Sequence, residues 1–280
     1  MISPCSNAFG YNVVERIETI IEAKGLVKTT ISAIIITKNE AVNIRKCLES
    51  LAWVDEIVVV DSGSTDETIA ICREFTEKVY SHDWPGFGPQ KNRALQYAVG
   101  EWVLSIDADE RVSVPLREEI SSVLLQPGRD AYEMPRLSSY CGRFIRHSGW
   151  RPDYVLRLFR RQRGRFSDNI VHERVLVDGP VGKLKNDLIH YSFRDLEQVL
   201  NVVNRYSSLG AEQKFKAGQR GGLGLAILHG LGNFLSTYFL QAGFLDGRQG
   251  LMLAISNAEG TYYKFLKLLY LGEKNPHDRD

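Results

Sequence analysis

Cysteine is scarce and scattered. Cys5, Cys47, Cys72 and Cys141 are the four in 280 residues, with no Cys-x-x-Cys pair and no zinc-ligand spacing. That excludes a disulfide framework or a zinc module, and the four read as reduced, buried or half-buried thiols of a cytosolic protein. An excess of either charge is missing too. With 35 Lys and Arg against 34 Asp and Glu, the net charge is +1, which excludes a nucleic-acid binder working by bulk charge and a disordered charged tail. The amino terminus lacks a basic region followed by an apolar core, so no secretory signal is expected. A dinucleotide fingerprint is also absent: Gly86 and Gly88 follow no strand, and Pro89 interrupts the pattern.

What is present begins with strands that end in polar turns. Ile31 to Ile36 is a β-branched run closed by Thr37-Lys38-Asn39-Glu40, after which Ile44, Leu48 and Leu51 recur at helical spacing. Glu56 to Val60 stops at Asp61-Ser62-Gly63-Ser64-Thr65-Asp66, where Thr65 is placed to cap the next helix. Trp102 to Ile106 runs into Asp107-Ala108-Asp109. Continuous β-branched runs belong to a parallel sheet covered on both faces, and such sheets bind ligands at the carboxyl ends of their strands. Two carboxylates at i and i+2 suit a hard divalent cation shared with phosphate oxygens, which points to a nucleoside diphosphate.

The order and spacing of these three strand ends, over about residues 31 to 193, resemble the family 2 glycosyltransferases, inverting enzymes of the GT-A fold. The resemblance implies a Rossmann-like, mostly parallel α/β sheet. It places Thr37, Asn39 and Glu40 beside the nucleotide and Asp61 on the base or ribose. Asp107 and Asp109 fall on the diphosphate through Mg2+ or Mn2+, with Asp109 the direct ligand. The family often carries a basic residue and an asparagine near the donor phosphates, where Lys91 and Asn92 stand here; an exposed helix start at Gln90 to Tyr97 is the equal alternative. Several branches carry a His-Glu after a segment like Arg157-Leu158-Phe159-Arg160, which makes Glu173 the general base and puts His172 by the phosphates or metal.

Nine arginines lie between Arg136 and Arg165 against one acid, Asp153. Guanidinium forks suit phosphate, an anionic membrane surface, or plain solvation. From Leu196 to Lys216 the pattern is helical, with Leu196, Val199, Leu200, Val203 and Tyr206 on one side. Leu223 to Leu245 carries no formal charge, yet His229, Asn233, Thr237 and Gln241 form a polar stripe. A helix lying in the membrane interface is favoured over a buried helix or a span. Arg220, Arg248 and the helix Tyr262 to Lys267 fit attachment to an anionic leaflet.

The expected organisation is an extension over 1–29, with a short amphipathic helix through Val13, Ile17, Ile20 and Ile21, then a catalytic domain over 30–193 and a helical, membrane-contacting region over 194–280. The whole chain, including Gly243-Phe244-Leu245-Asp246-Gly247, is similar to the bacterial lipopolysaccharide core β-glucosyltransferases. That likeness implies a UDP-sugar donor, UDP-glucose, an inner-core heptose acceptor, and a peripheral enzyme on the cytoplasmic face of the inner membrane. Transfer to a polyprenyl phosphate or another envelope glycan, and a non-catalytic nucleotide-sugar-binding protein, remain as alternatives. A sugar-nucleotide pyrophosphorylase is set aside, because its Gly-rich basic loop after the first strand is replaced by Thr37-Lys38-Asn39-Glu40.

Overall fold

The computed structural model describes residues 29–167 and 173–274. The expected amino-terminal helix and His172 lie outside the described residues. The strands in chain order are β1 (Ile31–Thr37), β2 (Glu56–Asp61), β3 (Val79–Ser81), β4 (Trp102–Ser105), β5 (Glu110–Val112), β6 (Ala131–Tyr140), β7 (Arg143–Phe144), β8 (Tyr154–Arg160), β9 (Gly164–Phe166), β10 (Val175–Val177), β11 (Val181–Lys183) and β12 (Leu188–Phe193). The helices are α1 (Ala41–Glu49), α2 (Thr68–Arg73), α3 (Phe87–Tyr97), α4 (Val114–Leu125), α5 (Leu196–Lys216), α6 (Leu223–Leu235) and α7 (Gly247–Lys274). They divide into two compact units, one reaching to residue 136 and resuming over 154–189, the other comprising 137–153 and the chain from 190.

In the first unit β3, β2, β1 and β4 lie side by side in parallel, and β8 and β6 continue the sheet antiparallel. The sheet is therefore mixed beyond β4. Alternation along the strands splits the core into two layers. Ala33, Ile35, Val59 and Leu104 pack with Ile44 and Leu48 of α1 and Leu116 and Ile120 of α4, whereas Ile34, Val58, Val60 and Val103 pack with Ala94 of α3. Parallel register pairs Thr37 with Asp61 and Ile34 with Ser105, so the carboxyl ends of β1, β2 and β4 share one edge.

Two helix starts differ from expectation. Helix α2 begins at Thr68, and Asp66 rather than Thr65 serves it, accepting from the Thr68 N–H at 3.0 Å. Helix α3 begins at Phe87, not Gln90. First-turn N–H groups have no partner within a helix, so Pro89 costs nothing there and does not force a loop.

In the second unit the Asp195 side chain caps α5 by accepting from Gln198 N–H at 2.9 Å. Of the five residues that periodicity places on one side of α5, Val199 is buried, whereas Leu200 and Tyr206 are exposed. The uncharged stretch is broken into α6, a π turn over Ser236–Leu240 and a 3-10 turn over Gly243–Asp246. Leu223–Leu240 is long and apolar enough to cross a membrane by length and composition. Its polar stripe turns toward α7: Asn233 Nδ2 donates to Thr261 Oγ1 at 2.8 Å, Thr237 Oγ1 accepts from Asn257 Nδ2 at 3.4 Å, and the His229 ring stacks on Phe265 at 4.2 Å. The opposite face, with Leu225, Ile227, Leu228, Leu231 and Leu235, is exposed.

Candidate active site

The first two strand ends are tied together by side chains. Asn39 adopts φ 55°, donates its N–H to Ser64 Oγ at 2.8 Å and accepts from Thr65 N–H at 2.8 Å. Left-handed backbone is tolerated best by glycine and asparagine, which explains the residue type. Glu40 donates its N–H to Thr68 Oγ1 at 2.8 Å and accepts from Asn43 Nδ2 at 2.8 Å. Asp61 is fully buried; one oxygen accepts from Gly63 and Ser64 N–H at 2.9 and 2.8 Å, and the Ser64 hydroxyl takes the other. This carboxylate shapes its own turn, which passes through Gly63 at φ 82°. The Thr37 hydroxyl at the end of β1 is buried without a hydrogen-bond partner among the described residues. An orphaned buried hydroxyl costs about 1–3 kcal/mol, a cost that a ligand at this edge would remove.

The third strand end is an ion-pair cluster. Lys91, buried on α3, places Nζ 2.9 Å from Asp107 Oδ1 and 2.8 Å from Glu173 Oε1. Arg157 of β8 binds the other Asp107 oxygen and also Glu110 Oε1 at 2.7 Å. Glu110 is fully buried, accepts from the Asp107 N–H at 3.0 Å, and has Arg136 Nη1 at 3.6 Å. Burial opposes ionisation of Asp107, but the charges of Arg157 and Lys91 outweigh it and hold the carboxyl well below the usual carboxylate range. Burial likewise works against the Arg157 charge, and Asp107 and Glu110 more than restore it.

The structure thus brings Lys91, Asp107 and Glu173 into direct contact. Lys91 is not the exposed residue of an ordinary helix start. Asn92 is spent on β9, donating to Phe166 O at 3.0 Å and accepting from its N–H at 2.9 Å. Sequence reasoning missed Glu110 and the particular part of Arg157. Glu110 directly follows the Asp-x-Asp and Arg157 lies in the Arg-rich segment, but 47 residues separate them.

Among the described residues no group of three or more His, Cys, Asp and Glu is arranged to hold a metal. Both Asp107 oxygens already face cations, and Asp109 lies half-buried in the same turn. Mg2+ and Mn2+ need no all-protein cage when a diphosphate supplies further oxygens, so this donor set fits a cation that binds with a nucleotide.

Residues 32–177 match the model of glycosyl transferase family 2. The chain belongs to that family. It is a glycosyltransferase with the mixed α/β sheet of the GT-A fold. The lipopolysaccharide core biosynthesis glycosyltransferase LpsC of Rhizobium meliloti is 32% identical, over 85% of this chain and 90% of that protein. An uncharacterized glycosyltransferase of Rickettsia typhi is 31% identical, over 88% of each. Among solved structures, glucosyl-3-phosphoglycerate synthase of Mycobacterium tuberculosis with Mg2+ and uridine diphosphate is 27% identical over 44% of this chain and 47% of that chain, with a TM-score of 0.36.

Proposed function

We propose that this family 2 enzyme transfers glucose, with inversion, from UDP-glucose to an inner-core heptose of lipopolysaccharide, as a peripheral protein on the cytoplasmic face of the bacterial inner membrane. The observation that carries the chemistry is the Lys91 bridge between Asp107 of the Asp-x-Asp turn and Glu173. The likeness to LpsC, extending over 85% of the chain, supports the lipopolysaccharide acceptor.

In this reading Thr37, Asn39, Glu40 and Asp61 line the nucleotide, Lys91 lies toward the donor phosphates, and Asn92 holds β9 beside it. Glu173 removes the proton from the acceptor hydroxyl as its oxygen bonds to the anomeric carbon and the bond to the diphosphate breaks. Lys91 then carries its charge toward the departing phosphates and away from Glu173. Asp109 and His172 would hold a divalent cation, which would supply further positive charge to the diphosphate when bound, while Asp107 stays with Lys91 and Arg157. Holding donor and acceptor in line supplies much of the acceleration.

The test is transfer of labelled sugar from UDP-, GDP- and ADP-sugars, with Mg2+ or Mn2+, to lipopolysaccharide cores truncated at heptose. Transfer from UDP-glucose that Asp109→Ala abolishes is the expected result. Transfer to polyprenyl phosphate alone would move the enzyme to another pathway, and binding without transfer to any acceptor would make it a sensor.

A further inference from the structure

Asp246 is the one acid between Leu223 and Arg248, and it is 2% exposed. Its carboxylate accepts from the Arg146 and His147 N–H groups, both at 3.0 Å, and from the Ser148 hydroxyl at 2.9 Å, with His147 Nδ1 at 3.2 Å. Ser148 N–H donates to Gln241 O at 2.8 Å. One buried carboxylate therefore clasps the loop over 143–149 to the turn over 241–247. Gly247, at φ 63°, lets the chain turn directly into α7.

This arrangement sinks the negative charge and leaves the positive charge outside. Arg143, Arg146 and Arg248 are exposed and have no ion pair among the described residues. Arg143 reaches across the turn, with Nη2 3.5 Å from Leu245 O. Beside these cations Phe239, Leu240, Phe244 and Leu245 project into solvent, Leu240 with 84% of its surface exposed. They continue the exposed apolar face of α6. Between α6 and α7 an open cavity of about 370 Å³ is lined by Ile227, Leu231, Phe234, Ile255 and Tyr263.

We propose that the Asp246 clasp builds a docking element for a leaflet of anionic phospholipid. Phe239, Leu240, Phe244 and Leu245 enter the acyl boundary, and Arg143, Arg146 and Arg248 bind lipid phosphates above it. Cations alone would suit a soluble phosphate as well. The four large apolar side chains on the same turn have no use for a soluble anion, and they favour a phosphate attached to acyl chains. This deepens the membrane part of the proposed function and rests on it, but it does not depend on the sugar transferred.

The test is flotation of the full chain with vesicles of phosphatidylcholine, alone or with phosphatidylglycerol. Binding should require phosphatidylglycerol, weaken with salt and resist competition by inorganic phosphate. Replacing Arg143, Arg146 and Arg248 together by Ser should lower partitioning on the order of 100-fold, from about fivefold per cation near an anionic surface. Leu240→Ser with Phe244→Ser should abolish binding at any salt, while UDP binding and the circular-dichroism melt of both variants stay unchanged. Equal binding to neutral vesicles, an unaffected triple variant, displacement by inorganic phosphate, or self-association in place of vesicle binding would overturn the proposal. Transfer to a delipidated core acceptor separates the two readings: vesicle binding absent with transfer intact removes this inference alone, and the reverse removes only the proposed reaction.

Discussion

Lys91 donates to Glu173 Oε1 at 2.8 Å from a helix 82 residues earlier in the chain. The same ammonium lies 2.9 Å from Asp107 Oδ1. Lys91→Met leaves both carboxylates facing a buried methyl. The expected loss is about 2–4 kcal/mol of folding stability, because removing one partner of a buried pair strands the others. Urea unfolding measures it, and a change below about 0.5 kcal/mol would mean that water already screens the cluster.

Glu173→Gln preserves shape and removes the proton acceptor. Donor affinity should be kept, and kcat should fall by about 10²–10⁴-fold. Near-normal turnover would place the base elsewhere. Asp109→Ala should instead weaken binding of the donor together with metal, which titration calorimetry with UDP and Mn2+ separates from any defect in the acceptor.

Asp246 gives a pH signature. Burial raises its carboxyl, but the N–H groups of Arg146 and His147, the imidazole and the Ser148 hydroxyl outweigh burial and leave it below its usual value. Its stabilising contribution is complete above the unfolded value of about 3.9 and is lost as pH falls toward the folded one. Unfolding free energy from this source should be flat between about pH 7 and pH 5 and decline below about pH 4. Asp246→Asn should be less stable at neutral pH and show a shallower acid decline. Urea midpoints across that range decide it; an unchanged slope refutes the assignment.

Gly250 tests the packing behind the clasp. A Cβ there would lie 1.9 Å from Gly243 O and 2.9 Å from the Asp246 Cβ. Gly250→Ala should therefore cost about 1–3 kcal/mol by overpacking. Gly224→Ala, where nothing lies within 4 Å, is the control and should be neutral or slightly stabilising by thermal melt.

What the sequence revealed was local. The runs at Ile31, Glu56 and Trp102 declare strands because β-branched side chains and polar turns act over a few residues, and α5 spans Leu196 to Lys216 as its periodicity predicts. The start of α3 was hidden because Gly86, Gly88 and Pro89 suit a loop and a first helical turn equally well. Glu110 and Arg157 were unreadable as partners because their bond depends on pairing β8 against β4, a contact no local pattern encodes. The stripe on α6 was visible, but periodicity separates two faces without saying which of them meets α7.

That orientation has a practical consequence. Because Asn233, Thr237 and His229 are committed to α7, the solvent-facing leucines of α6 can be changed without touching what holds the helix. Leu228→Lys with Leu231→Glu should yield a chain that stays monodisperse in detergent-free buffer and still binds UDP. For a crystallographer, the exposed apolar face of α6 is the face that can be rewritten.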